Sequence, residues 1–277
     1  MTESVVVAAI QRQTRLGDVA ANLKLLTKTV RSTKADLVCF GELFLTGYLT
    51  RDAVHRLAQP LDGPVVKAVR TVAARTGRHV LFGMPERSPR ARGLTHNSAV
   101  LVTPEGAVHA YRKMHLPTFG PFEEQLYFAA GTAPVVARTA IGRIGLSICY
   151  DLFFPELFRA QALHGADLLC CISASPMTSR AFFEHLAVAR AIENATPLVY
   201  CNLSATERQV QFFGGSRIVS ARGAVVAAGK IAAPDTVVAT IDHGQTASAR
   251  VGRPTIRDAR PQPFEAALRA LADLPPL

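Results

Sequence analysis

The sequence predicts an α/β fold, and three observations carry that prediction. Short apolar runs rich in β-branched residues recur at strand length, at residues 5–10, 37–40, 79–84 and 168–172. Between them lie segments with apolar residues at helical spacing, such as Val19, Leu23, Leu26 and Val30. The two kinds of segment alternate along the chain instead of clustering, which is the pattern of α/β domains.

The elements follow in order. Residues 5–10 form a buried strand. Asp18 opens a helix that runs to about residue 32, and 37–40 is a second buried strand. Residues 64–75 read as a helix with Pro64 in its first turn, where a missing N–H costs nothing. Strands at 79–84 and 99–103 come next, then a turn at Pro104, Glu105 and Gly106, then a strand at 108–112. Residues 116–132 are irregular. A strand at 143–148 ends at Cys149, and Pro155 starts a helix to residue 164. A strand at 168–172, a long helix at 180–194 and a strand at 198–202 follow. Residues 217–220 and 224–228 form a hairpin, and 237–241 is the last strand. The Pro-rich tail, with Pro254, Pro261, Pro263, Pro275 and Pro276, is expected to be an extended arm with one short helix.

Two internal matches sharpen the fold. Residues 35–39 (Ala-Asp-Leu-Val-Cys) match 166–170 (Ala-Asp-Leu-Leu-Cys), and residues 106–110 match 223–227. Their common order implies two pseudo-equivalent halves meeting near residue 135 and packing as one domain.

Composition excludes several classes. With 49% hydrophobic and 19% charged residues, the chain has enough apolar material for a full core and is not disordered. No run of about 18 apolar residues is present, so no membrane span is expected. The net charge of +10 comes from 31 Lys+Arg against 21 Asp+Glu, but the basic residues are scattered. The densest stretch, residues 87–92, holds three Arg, so nucleic acid is not the expected partner. Five Cys, an odd number without CxxC or zinc spacing, argue against a disulfide framework and for a reducing compartment. The N-terminus shows no charged region ahead of an apolar one, which makes the cytoplasm the expected location.

Chemistry is sought where polar residues interrupt apolar strands. Glu42 follows the run 37–41, at the carboxyl end of a buried strand, where open α/β sheets gather ligand-site residues. A carboxylate there is partly withdrawn from water, which suits it to taking a proton. Surface and helix-capping roles remain open for Glu42 on this feature alone. Cys149 also ends a strand and lies in a tight strand-to-helix connection before Pro155, where a nucleophile is exposed and backbone N–H groups can face an oxyanion. The other four Cys, 39, 170, 171 and 201, read as inert core residues. Lys113 ends the strand before the irregular stretch, and Glu123 and Glu124 lie among aromatics within that stretch.

These residues carry a resemblance. Glu42 in Gly41-Glu42-Leu43-Phe44-Leu45-Thr46-Gly47-Tyr48, Lys113 in Arg112-Lys113-Met114-His115-Leu116-Pro117, and Cys149 in Ser147-Ile148-Cys149-Tyr150-Asp151-Leu152-Phe153-Phe154-Pro155-Glu156 resemble the three signatures of the nitrilase superfamily of carbon–nitrogen hydrolases. Residues 189–194 and 213–216 add further similarity, and the likeness spans residues 5–241. The resemblance implies a four-layer α-β-β-α sandwich with internal pseudo-symmetry. It implies a hydrolase domain over residues 1–253 and leaves 254–277 as a C-terminal arm at a subunit interface. It makes Cys149 the nucleophile, Glu42 its base, Lys113 an oxyanion donor and Glu124 the second glutamate that positions Lys113, with Glu123 the adjacent alternative. Neither a metal nor an organic cofactor is implied, and a homodimer or higher homo-oligomer is. A Cys–His reading through His115 or His185 leaves Glu42 and Lys113 without roles.

The substrate implied is a small linear amide or carbamoyl compound, since Tyr150 after the nucleophile is similar to amidase branches of the family. Candidate substrate-binding residues are Tyr48, Phe119, Tyr150, Phe153 and Ser175. Residues 41–48 followed by Arg51 and Asp52, residues 173–176, and residues 198–202 also resemble the glutamine-amidase domain of NAD synthetases. Against that stand the lack of an attached synthetase domain and Tyr150, where that branch has an acidic residue. A glutaminase-like subunit feeding ammonia to a partner, and a non-catalytic binding protein on the same fold, are the alternatives.

Overall fold

A computed structural model describes residues 3–274. Pro275 and Pro276 of the tail, and the first two residues of the N-terminal stretch, lie outside the described residues.

The first half runs β1 (Ser4–Gln11), α1 (Val19–Ser32), β2 (Leu37–Phe40), the one-turn α2 (Val54–Leu57), α3 (Pro64–Thr76), β3 (His79–Arg87), β4 (Thr95–Val102) and β5 (Val108–Arg112). A one-turn helix α4 (Glu124–Tyr127) leads into the second half. That half comprises β6 (Val135–Thr139), β7 (Gly142–Ile148), α5 (Pro155–Leu163), β8 (Leu168–Ser173), α6 (Arg180–Glu193) and β9 (Leu198–Asn202). The short pair β10 (Thr206–Glu207) and β11 (Val210–Gln211) precedes β12 (Arg217–Val219), β13 (Val225–Ala228) and β14 (Asp235–Asp242), and helices α7 (His243–Gly252) and α8 (Pro261–Ala272) close the chain.

The strands form two six-stranded sheets, ordered β14-β1-β2-β3-β4-β5 and β13-β12-β9-β8-β7-β6. In each, a parallel trio (β1-β2-β3, β7-β8-β9) continues into an antiparallel hairpin (β4-β5, β12-β13). An antiparallel strand closes the other edge, β14 on β1 and β6 on β7. The halves are therefore pseudo-equivalent. The sequence match 35–39 with 166–170 opens β2 and β8, the middle strands of the two trios. The match 106–110 with 223–227 opens β5 and β13, the outer hairpin strands.

Alternation along β1 shows the layering. Val5, Val7 and Ala9 pack into the core shared with the second sheet, with Ile148, Leu169 and Val199. Ala8 and Ile10 face the other way, against Leu26 and Val30 of α1 and Val66 and Val69 of α3. A strand buried on both faces must be apolar throughout, which is why these strands appear as continuous runs in the sequence. Helices α5 and α6 cover the second sheet with Phe158, Phe183, Ala187 and Ala191, completing an α-β-β-α sandwich.

Local signals place the ends of the elements. Asp18 caps α1 by accepting from the Ala21 N–H at 2.9 Å, and Pro64 and Pro155 sit in the first turns of α3 and α5. Three expectations change. The strand read as 99–103 begins at Thr95, because His96, Asn97 and Ser98 are buried strand residues despite their polar character. Residues 116–132 contain α4. The tail is largely helical instead of extended: α8 begins at Pro261, and both Pro261 and Pro263 fall in its first turn, where proline is tolerated.

Candidate active site

Glu42, Cys149 and Ser173 stand at the carboxyl ends of the parallel strands β2, β7 and β8, and Lys113 follows the last residue of β5. The two halves thus meet at one point. The Glu42 carboxylate is fully buried: its Oε1 accepts from Lys113 Nζ at 2.7 Å and from Asn97 Nδ2 at 2.8 Å, and its Oε2 accepts from the Ala174 N–H at 2.9 Å. Its own N–H donates to the Ser173 carbonyl at 3.2 Å, stitching the first sheet to the second. β3 passes so close beneath that a Cβ on Gly83 would lie 2.2 Å from the Leu43 nitrogen, so only glycine fits.

Lys113 Nζ bridges Glu42 and Glu124, at 2.7 and 2.6 Å. Glu124 Oε1 also accepts from the Tyr48 hydroxyl at 2.6 Å. Glu123 turns outward to Arg51, 3.7 Å away at the surface. Burial alone would lower the Lys113 pKa, but the carboxylates of Glu124 and Glu42 outweigh it and hold Lys113 well above the ordinary lysine value, as an ammonium ion. Burial, with Lys113 opposing and Glu42 reinforcing, pushes Glu124 up to about 7.

Cys149 adopts φ of 48°, as does Leu43 after Glu42 at 47°. Left-handed backbone at a non-glycine residue costs about 1–3 kcal/mol and is retained where the surroundings enforce it. Its Sγ lies 3.5 Å from Ser175 Oγ, which is 2.5 Å from Ser173 Oγ. The Ser175 N–H donates to Asn202 Oδ1 at 2.8 Å. Cys149 is not exposed as the sequence reading expected: it is 5% accessible, at the floor of a cavity. Burial pushes its thiol up to about 12, with Glu42 adding and Lys113 opposing. A thiol so placed is neutral at rest, and attack by it requires a base.

Asp151 ties the two active segments together. Its Oδ1 accepts from the N–H (3.2 Å) and Nδ1 (2.7 Å) of His115, and its Oδ2 accepts from the Tyr111 hydroxyl (2.8 Å) and the Ile148 N–H (3.0 Å). One buried carboxylate thereby fixes residues 111–115, which carry Lys113, to the turn that carries Cys149. His115 is spent on this contact and on stacking against Phe154, with ring centroids 3.5 Å apart. His185 bonds the Ala181 carbonyl at 2.6 Å, on the exposed side of α6.

The cavity above Cys149 has a volume of about 230 Å³ and is lined by three of the sequence candidates, Phe119, Tyr150 and Phe153, and by Phe122, Phe182 and Phe183, which sequence reasoning did not single out. Tyr48 and Ser175 are not among its lining residues; they contact Glu124 and Cys149.

The sequence profile of the carbon–nitrogen hydrolase family matches residues 6–251. The chain belongs to that family. As a carbon–nitrogen hydrolase it is similar to the 2-oxoglutaramate amidase of Paenarthrobacter nicotinovorans, 34% identical over 70% of this chain and 68% of that one. It is also similar to the N-carbamoylputrescine amidase of Solanum tuberosum, 29% identical over 91% of each chain. A variant of the amidase from Nesterenkonia sp. AN1 matches with a TM-score of 0.81 and 25% identity, over 94% of this chain and 95% of that one. That structure shows the acetamide moiety of fluoroacetamide added covalently at its active site cysteine.

Sequence reasoning also missed residues around the hydrolase's buried charges: Asn97, Ser173, Asp151 and Asn202. Each is a fully buried polar side chain at or next to a strand, and polar residues bordering apolar runs were the signal available. Among the described residues, no group of three or more His, Cys, Asp or Glu is arranged to hold a metal ion, and no helix is long and apolar enough to cross a membrane.

Proposed function

We propose that this hydrolase cleaves the C–N bond of a small amide or carbamoyl compound through a thioester on Cys149, releasing ammonia or an amine. Glu42 takes the thiol proton as Sγ attacks the carbonyl carbon. Lys113 Nζ and the backbone N–H of Tyr150 stabilise the oxyanion that forms. The C–N bond breaks as Glu42 returns the proton to the leaving nitrogen. Water then attacks the thioester, Glu42 accepting its proton, and the acid and the free thiol are released. The reading is carried by the buried Glu42–Lys113–Glu124 chain, 2.7 and 2.6 Å across its two contacts, whose charges act on the buried Cys149 thiol. A lysine bearing two carboxylates keeps its charge where burial would otherwise remove it, and a lasting positive charge is what an oxyanion needs.

Cys149→Ala is expected to fold as the wild type does, by circular dichroism, and to release no ammonia across a panel of amides, ureas and carbamoyl amines. Full turnover by that variant would overturn the mechanism.

The oligomer belongs to the same proposal. Residues 1–253 act as the hydrolase domain, and residues 254–277 as an arm that contacts a second copy. The support is α8, which buries none of its residues and leaves Phe264, Leu268 and Leu271 exposed along one side.

A further inference from the structure

The cavity above Cys149 narrows the substrate, given the reading of Cys149 as nucleophile. Six rings line it: Phe119, Phe122, Tyr150, Phe153, Phe182 and Phe183. They form a connected collar. Tyr150 lies 5.3 Å from both Phe119 and Phe153, Phe119 lies 5.8 Å from Phe122, and Phe153 contacts Phe182 and Phe183 at 6.2 and 5.5 Å. Tilted and edge-on pairs of this kind keep ring faces available to a further apolar or aromatic group. Phe119 and Phe182 are 53% and 60% exposed, so core packing does not account for either. One belongs to the segment after β5 and the other to α6.

No charged side chain lines the cavity. The charges nearest in sequence are engaged elsewhere. Arg180, next to Ser179 of the lining, pairs with Glu184 at 3.0 Å, and Glu184 is shared with Arg217 at 2.6 Å. Glu123, next to Phe122, lies 3.7 Å from Arg51. At the floor, the one ammonium of Lys113 faces two carboxylates. A substrate carboxylate would find no counter-charge in this collar. A substrate ammonium would find only ring faces, which are mostly those of phenylalanine, weaker than tryptophan for cations. Burying either charge unpaired is costly.

We propose that the acyl group accepted by this enzyme is uncharged and apolar, a phenyl ring or a short branched alkyl chain on a primary amide. The size agrees. A cavity of about 150 Å³ accommodates benzene, so about 230 Å³ holds a ring with its amide. Drug-sized ligands fill cavities of about 300 Å³ and above.

The test compares ammonia release from phenylacetamide, glutaramate and 4-aminobutanamide by the full-length enzyme. The kcat/KM for phenylacetamide is expected to exceed that of each charged amide by at least tenfold, and by about a hundredfold where the charge must be buried unpaired. A ratio under tenfold for either charged amide overturns the proposal. Phe182→Arg is expected to shift the phenylacetamide-to-glutaramate ratio toward glutaramate by about tenfold, the change one partly exposed ion contact can supply; an unmoved ratio counts against it. Failure of the hydrolytic reading has a different signature, namely no ammonia from any amide. Protection of Cys149 from iodoacetamide would then still report the cavity's preference, with phenylacetamide protecting at lower concentration than glutaramate. Equal or better protection by glutaramate overturns the proposal on its own.

Discussion

Burial pushes the Cys149 thiol up to about 12, and the same burial pushes Glu124 up to about 7. The first shift means that the Cys149 thiol needs a base before it can attack, the role proposed for Glu42. The second places a titration inside the working pH range. Below pH of about 7, Glu124 takes a proton and Lys113 loses one of its two anionic partners. The kcat/KM is therefore expected to fall as pH drops through about 7, and Glu124→Gln is expected to lose that acid limb along with part of the rate. Stability runs the other way. A carboxylate whose folded pKa lies above its ordinary 4.5 keeps a proton that the unfolded chain has already released, so its contribution to stability declines as pH rises from 4.5 to about 7. Melting curves across that window are expected to show a steeper decline for the wild type than for Glu124→Gln. Asn97 is the residue the sequence concealed. His96-Asn97-Ser98 looks like a turn by composition, yet it is buried strand, and Asn97 donates to Glu42 at 2.8 Å and to Glu124 at 3.4 Å. Asn97→Ala is expected to lower kcat by roughly tenfold or more, because a hydrogen bond to a buried carboxylate is worth about 1.5–3 kcal/mol; steady-state kinetics at pH 8 check it.

Elements enter the site by their ends, and strand ends are where the sequence reading was strongest and weakest. The parallel strands β2 and β8 were legible because both faces are buried, and an unbroken apolar run stops sharply near the first polar residue. Edge strands were not: β6 is only half-buried and has no clean run, and α7 carries so few apolar residues that no helical stripe stands out. The joint between β5 and the turn after β7 was equally invisible, since Asp151 reads as one more residue of a loop. Its carboxylate satisfies the Ile148 N–H, both the N–H and Nδ1 of His115, and the Tyr111 hydroxyl, all between 2.7 and 3.2 Å. Removing it strands several buried donors at once. Asp151→Ala is expected to cost about 3 kcal/mol of stability in urea titration, and to lower activity further than that loss alone explains, because Lys113 and Cys149 are then no longer held in register. Tyr111→Phe removes one of these bonds and leaves the carboxylate its other donors, so its expected cost is about 1 kcal/mol.

For the whole molecule, the two repeated segments mark equivalent strands of two equivalent sheets, and the site lies where the halves join, with Glu42, Asn97, Lys113 and Glu124 from one and Cys149, Ser173 and Ser175 from the other. The arm breaks that pseudo-symmetry: no element of the first half corresponds to α8. Within α8, Phe264, Leu268 and Leu271 recur at intervals of four and three residues, which puts them on one face, and they are 42%, 70% and 65% exposed. Val251 of α7 is 82% exposed just before it. An apolar helical stripe left in water is costly at about 25 cal/mol per Å², and a helix of 12 residues without tertiary packing is marginal by itself. Contact with a second copy would supply both the cover and the reason for the helix. Deletion of residues 254–277 is therefore expected to lower the mass in solution to that of a smaller assembly, measured by light scattering, with the two-sheet core still folded. Leu268→Glu is expected to act in the same direction without removing any chain, since a charge in the middle of the stripe cannot be buried unpaired. An unchanged mass in both variants would overturn the proposal that α8 contacts a second copy of the chain.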